Sequence, residues 1–137
     1  DGLMLPQAVG WDWIGINLDD GGALMAFRIR DPSGATVYAH GSLRDTAGQL
    51  TRFGPQDVAF TPLRHWQSPR NGARYPVHME IRVGPHTLRT MPVLDDQEIT
   101  ARRPLPVSYW EGLVRLEGAL RGRGYLELTG YSDRMAL

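Results

Sequence analysis

The stretch Val77-His78-Met79-Glu80-Ile81-Arg82-Val83 decides the fold. Val77, Met79, Ile81 and Val83 alternate with His78, Glu80 and Arg82. Strict alternation marks a strand with one dry face and one wet face. Gly84-Pro85-His86 then turns the chain into a second run, Thr87–Leu94. The same period recurs upstream. In Trp11–Leu18 it puts Asp12, Ile14, Ile16 and Leu18 on one face and Trp11, Trp13, Gly15 and Asn17 on the other. Asp19-Asp20-Gly21-Gly22 is a turn with residues suited to positive φ. In Ala23–Arg30, Met25, Phe27 and Ile29 share one face and Arg28 and Arg30 the other, and Asp31-Pro32-Ser33-Gly34 makes a second turn.

Further strand-like runs cover Thr36–Leu43, Leu50–Phe53, Val58–Trp66, Val107–Leu120 and Gly124–Tyr131. Asp1–Gly10 and Trp66–Pro76 read as loops, the second long enough to cover a barrel mouth. Gly122-Arg123-Gly124-Tyr125 lacks the lysine and the following helix of a phosphate loop and reads as a hairpin turn. No segment sustains helical apolar spacing. Short strands with turn signals between them predict an all-β, antiparallel barrel or strongly curved sandwich.

The 137 residues suit one domain without linker or repeat. Fifteen cations balance fifteen carboxylates, and every cation is arginine. Zero net charge argues against a nucleic-acid or membrane-surface partner. The absence of cysteine excludes disulfides, zinc-thiolate sites and a cysteine nucleophile. No apolar run reaches the ~18 residues of a membrane helix. The sequence opens on Asp1 rather than Met and shows no signal peptide, so removal of a preceding segment is expected.

Candidate chemistry gathers in two aromatic-acid clusters. Asp12 either stands as a carboxyl among aliphatics, able to hold a proton as a general acid, or pairs with an arginine. Trp11 and Trp13 form a flat wall for an apolar ligand or ordinary packing. Tyr109 and Glu111 share a strand face, with Trp110 on the other beside Gly112, Val114 and Leu116. Glu111 is a second acid-base group or an arginine's partner. Arg28, Arg30 and Arg115 suit bidentate pairing with carboxylates and cross-strand ladders. His40, His65, His78 and His86 lack metal-ligand spacing and read as surface residues. Ser42, Ser68 and Ser108 lack a nucleophile elbow, so classical hydrolysis is disfavoured.

The blocks GWDWIGINLDDGGALMAFRIRD, SPRNGARYPV, VLDDQE, YWEG and GRGYLELTGY resemble, in order, those of the AttH/CrtC-like family. That family includes secreted AttH-like proteins and relatives of carotenoid 1,2-hydratase. The resemblance implies a lipocalin-like fold over residues 1–137, similar to the C-terminal half of a tandem two-barrel protein. It implies a secreted or periplasmic bacterial location, a missing N-terminal lipocalin-like half as partner, and association with ABC-transporter components. A motif of roughly W-x-D-x-x-W-S that precedes this half in relatives is absent. Hydratases of the family add water to an isolated alkene without a cofactor, with an aspartate in the tryptophan-rich region as the favoured acid, and Asp12 is the position that could match it.

The first expectation is therefore a lipocalin-like domain binding a hydrophobic small molecule: a terpenoid, a polyketide or a lipid. Its ligand-binding residues would be Trp11, Trp13, Tyr109 and Trp110. The alternative is a cofactor-independent hydratase, cyclase or isomerase with Asp12 and Glu111 as catalytic carboxyls. A third reading is a structural half-domain whose interior is filled by its own side chains. No metal or cofactor is expected, and an exposed face or edge could pair two copies into a homodimer.

Overall fold

The computed structural model describes residues 8–101 and 107–132. Residues 1–7 of the expected N-terminal loop lie outside that range. The described chain is almost entirely β-structure: β1 (Gly10–Leu18), β2 (Ala23–Arg30), β3 (Thr36–Arg44), β4 (Leu50–Phe53), β5 (Val58–Gln67), β6 (Arg74–Val83), β7 (His86–Pro92), β8 (Glu98–Ala101), β9 (Val107–Gly118) and β10 (Gly122–Leu128). A single 3-10 turn, Pro55–Asp57, precedes β5.

All pairings are antiparallel and form one sheet in the order β4-β3-β2-β1-β10-β9-β7-β6-β5, with β8 added on β9. The sheet curls into a half-barrel until β5 faces β2 and β3. The expected all-β, lipocalin-like class holds. Residues at every second position meet on the concave side, because a strand's side chains alternate between faces. Ile14, Leu24, Val77, Met79, Ile81, Val83, Leu88, Trp110, Leu126 and Leu128 are fully or nearly fully buried there.

The turns at Asp19–Gly22 and Asp31–Gly34 form as expected, with Gly21 and Gly34 at φ 97 and 89, a region closed to most side chains. Three sequence expectations change. Trp66–Pro76 is no long loop: β5 runs to Gln67 and β6 starts at Arg74, leaving a tight turn closed by the Ser68 N–H to the Ala73 carbonyl at 2.8 Å. Gly122 and Gly124 lie inside β10, where a Cβ would strike the backbone of β1 at the Asn17 and Gly15 carbonyls. Glycine is used there for close strand approach, and the turn falls just before it. β8, only four residues long, carries too little alternation to read from sequence.

His78 is half-buried, and its Nε2 has no hydrogen-bond partner among the described residues. Burial, and then the charges of Arg64 and Arg89, push its pKa down. Glu80, Arg89 and Glu117 stand in register across β6, β7 and β9, the arrangement expected of a ladder. The ion pairs under 4 Å form elsewhere, and the most enclosed of them lies on the concave side.

Candidate functional site

Register places the first cluster. Asp12 on β1 stands opposite Arg28 on β2, and Arg30 lies two residues further along the same face. Arg28 Nε donates to Asp12 Oδ2 at 2.6 Å, and Arg30 Nη1 donates to Oδ1 at 2.9 Å. The Tyr131 hydroxyl donates to Oδ1 at 2.7 Å. Asp12 is 0% exposed. Arg30 also donates from Nη2 to the Thr129 carbonyl at 2.7 Å, and its guanidinium lies 3.8 Å from the Tyr131 ring centroid. Burial, and then the Asp12 charge, push the Tyr131 phenol up. Of the two roles open to Asp12, the geometry forms the arginine pairing. Its oxygens act as acceptors for three donors and meet no open space.

Tyr131 links this cluster to another. Its ring lies 5.8 Å from that of Tyr75 on β6. The Tyr75 hydroxyl donates to Glu98 Oε2 at 2.7 Å. Glu98, fully enclosed, also accepts from Ser68 Oγ at 2.6 Å, Asn71 Nδ2 at 2.8 Å and Arg70 Nε at 2.9 Å. Burial alone would raise the Glu98 carboxyl, but the donors of Ser68, Tyr75, Asn71 and Arg70 outweigh it and hold it below the ordinary glutamate range. Arg70 further pairs with Asp96. These groups stitch the β5–β6 turn to the start of β8.

The expected site residues divide between the two faces of the sheet. Asp12 and Trp110 are on the packed side. Trp110 is 0% exposed, and its Nε1 donates to the Asp95 carbonyl at 2.8 Å. Trp11, Trp13, Tyr109 and Glu111 belong to the outward side. Glu111 therefore does not orient Asp12, because period two directs it away. Instead it faces Glu127 across β9 and β10, and Glu127 faces Trp13 on β1. Trp11 Nε1 donates to Glu127 Oε1 at 2.7 Å. Burial, then the Glu127 charge and a hydrogen bond with it, push the Glu111 carboxyl up.

Around that pair the outward face is aromatic and apolar. Leu113 and Tyr125 are in register, 45% and 50% exposed, and the Val93 N–H bonds the Leu113 carbonyl. Trp13 lies over Gly15, where any Cβ would strike its ring. Phe27 and Tyr38 continue the surface on β2 and β3, their rings 5.9 Å apart. Beyond Val93 and Leu113 the face turns polar, in a groove of about 480 Å³ lined by Asp19, Arg115, Glu117, Arg121 and Arg123. Among the described residues no group of three or more histidines, aspartates or glutamates is placed to hold a metal ion.

The model of the AttH-like family matches residues 1–131. The chain belongs to the AttH-like family. This AttH-like chain is similar to the crystal structure of an AttH protein from Nitrosomonas europaea, with 46% identity and a TM-score of 0.87. It is also similar in fold to kievitone hydratase from Nectria haematococca, at 18% identity and a TM-score of 0.70. Each comparison covers 92% of this chain and 40% of the other, so the chain spans about two-fifths of those proteins' length. A search of curated proteins found no match.

Sequence reasoning about the AttH-like chain missed Tyr131, Tyr75 and Glu98 as members of a site. The blocks that carry the family resemblance meet in that network. Asp12, Arg28 and Arg30 come from the first and Ser68, Arg70, Asn71 and Tyr75 from the second. Asp96 and Glu98 come from the third, Trp110 from the fourth and Tyr131 from the last. The signal was present in the blocks, but their meeting depends on pairings across most of the chain.

Proposed function

We propose that this AttH-like domain binds a hydrophobic small molecule on the outward face of its sheet. The observation that carries this reading is the aromatic row itself. Trp11, Trp13, Leu113 and Tyr125 sit on a side where a free-standing sheet is usually polar. The concave side is filled by its own side chains, Trp110, Tyr75 and Met79 among them, as the structural half-domain reading expects, which leaves the outward side for a ligand. An N-terminal lipocalin-like half, a secreted or periplasmic location and an ABC-transporter component as partner belong to the same proposal.

The test is energy transfer from tryptophan to all-trans-retinol, a neutral isoprenoid polyene. Saturable transfer is expected, with Tyr125→Ser weakening affinity roughly tenfold through lost apolar burial. No transfer, or transfer indifferent to Tyr125→Ser, sinks the proposal.

The hydratase alternative is favoured by one observation: Glu111 is held toward its protonated form beside an aromatic wall. A carboxyl that keeps its proton at an apolar surface is the group needed to protonate an alkene. On that reading the donor is Glu111 rather than Asp12.

A further inference from the structure

On the outward face two carboxyls stand opposite each other, and among the described residues no cation is paired with either. Antiparallel register sets Glu111 directly opposite Glu127. Like charges directly opposite each other on paired strands repel. Glu127 accepts the Trp11 Nε1 bond at 2.7 Å, and its charge, after burial, helps push the Glu111 carboxyl up.

Among the described residues, the groups around the pair carry no charge. From β10, Tyr125 and Glu127 face the pair, and from β1, Trp11 and Trp13. On β9 itself, Tyr109 and Leu113 flank Glu111. Gln97, just before β8, bonds the β9 backbone at Glu111 and Leu113, and Ile99 on β8 stands opposite Tyr109. Among the described residues, the nearest arginines along these strands, Arg115 and Arg123, lie four residues away, and neither contributes to the shift of Glu111.

We propose that Glu111, set opposite Glu127, is a proton gate on the apolar wall: with Glu111 protonated the wall takes uncharged apolar ligands, and with Glu111 ionised beside Glu127 it releases them. The inference rests on the ligand-binding reading above and adds its regulation and ligand class. The physical cause is hydration. A protonated Glu111 can donate to its neighbour and needs little further solvation. Loss of that proton adds a charge beside Glu127 that must be solvated, and an apolar ligand would have to strip that water. The same charges repel a ligand carboxylate, so the neutral member of an alcohol–acid pair is preferred.

The experiment is retinol titration at pH 4 and pH 8, with retinoic acid compared against retinol at pH 8. Retinol affinity is expected to fall about tenfold between the two pH values, which corresponds to ~1.4 kcal/mol. Retinoic acid is expected to bind at least about tenfold more weakly than retinol at pH 8. Glu111→Gln should keep the acid-state affinity at both pH values. A carboxyl carbon-13 NMR titration of the ligand-free protein should place Glu111 above an ordinary glutamate. Retinol bound equally at both pH values overturns the gate and leaves the wall standing. No retinol bound at either pH overturns the wall and the gate together. Unchanged pH dependence in Glu111→Gln, or an ordinary Glu111 titration, overturns the assignment to this pair.

Discussion

The two faces of one sheet treat carboxylates in opposite ways. On the packed side, the single carboxylate of Asp12 is shared by two guanidiniums and a phenol. On the outward side, Glu111 and Glu127 share one another and an indole N–H. The first arrangement removes a charge from water and must supply opposite charge at once, since an unpaired ion in a protein interior is costly. The second stays near water and tolerates like charges because solvent and a proton relieve them. Burial thus separates an anchor from a titratable surface, although Asp12 and Glu111 sit in similar tryptophan-flanked stretches, Trp-Asp-Trp and Tyr-Trp-Glu.

Breaking the anchor is the largest effect expected. Asp12→Asn leaves Arg28 and Arg30 buried without their shared counter-charge. The expected loss is ~3–5 kcal/mol, the usual cost of removing one partner from a buried pair. Urea unfolding of the two proteins measures it. A loss below about 1 kcal/mol would mean the arginines find other partners and the cluster is not an anchor.

Half of that contrast was legible in the sequence. Period two put Asp12 with Ile14, Ile16 and Leu18, and the short turn at Asp19–Gly22 joins β1 to the strand that carries Arg28 and Arg30. The abundance of arginine made a pairing an alternative for Asp12, and the register of β1 on β2 then singles out Arg28 and Arg30. Period two was also enough to separate Tyr109 and Glu111 from Trp110. Tyr131 reaches Asp12 across 119 residues of chain, and Tyr75 on β6 reaches Glu98 on β8, strands that do not pair with each other. No local period encodes such meetings. The partner of Glu111 was expected to be an arginine, because the composition offers many. The register of β9 on β10 supplies Glu127 instead. Likewise, Ser68, Arg70 and Asn71 looked like a slack loop until Glu98 supplied the acceptor that organises their turn.

Glu98 sharpens the comparison from between the two extremes, being enclosed but held mostly by neutral donors. Glu98→Gln would place amide hydrogens against groups that also donate. A loss of ~2 kcal/mol near pH 7 is expected, at the level of a hydrogen-bonded charged group. The pH dependence has a definite sign. The folded-state carboxyl titrates below its unfolded value, so its contribution is present above about pH 4.5 and is lost as pH falls through the folded value. Acid unfolding curves should therefore converge for wild type and Glu98→Gln below that point. Parallel curves across the acid range would remove Glu98 as a source of acid sensitivity.

The smallest effect tests the outward face alone, without ligand, and its sign is opposite. Glu111 titrates above its unfolded value, so its favourable contribution is present at acidic pH and fades as pH rises through the raised folded value. Glu111→Gln removes the repulsion with Glu127 while keeping a group that can donate to it. It should therefore stabilise the protein at pH 8 by ~0.5 kcal/mol, the scale of a cross-strand pair, and change little at pH 4. Thermal melts at the two pH values read this directly. Equal stabilisation at both would point to packing or strand propensity rather than charge. Destabilisation at pH 8 would mean that an ionised Glu111 is held by a cation, and the contrast between the two faces would then fail at its outward end.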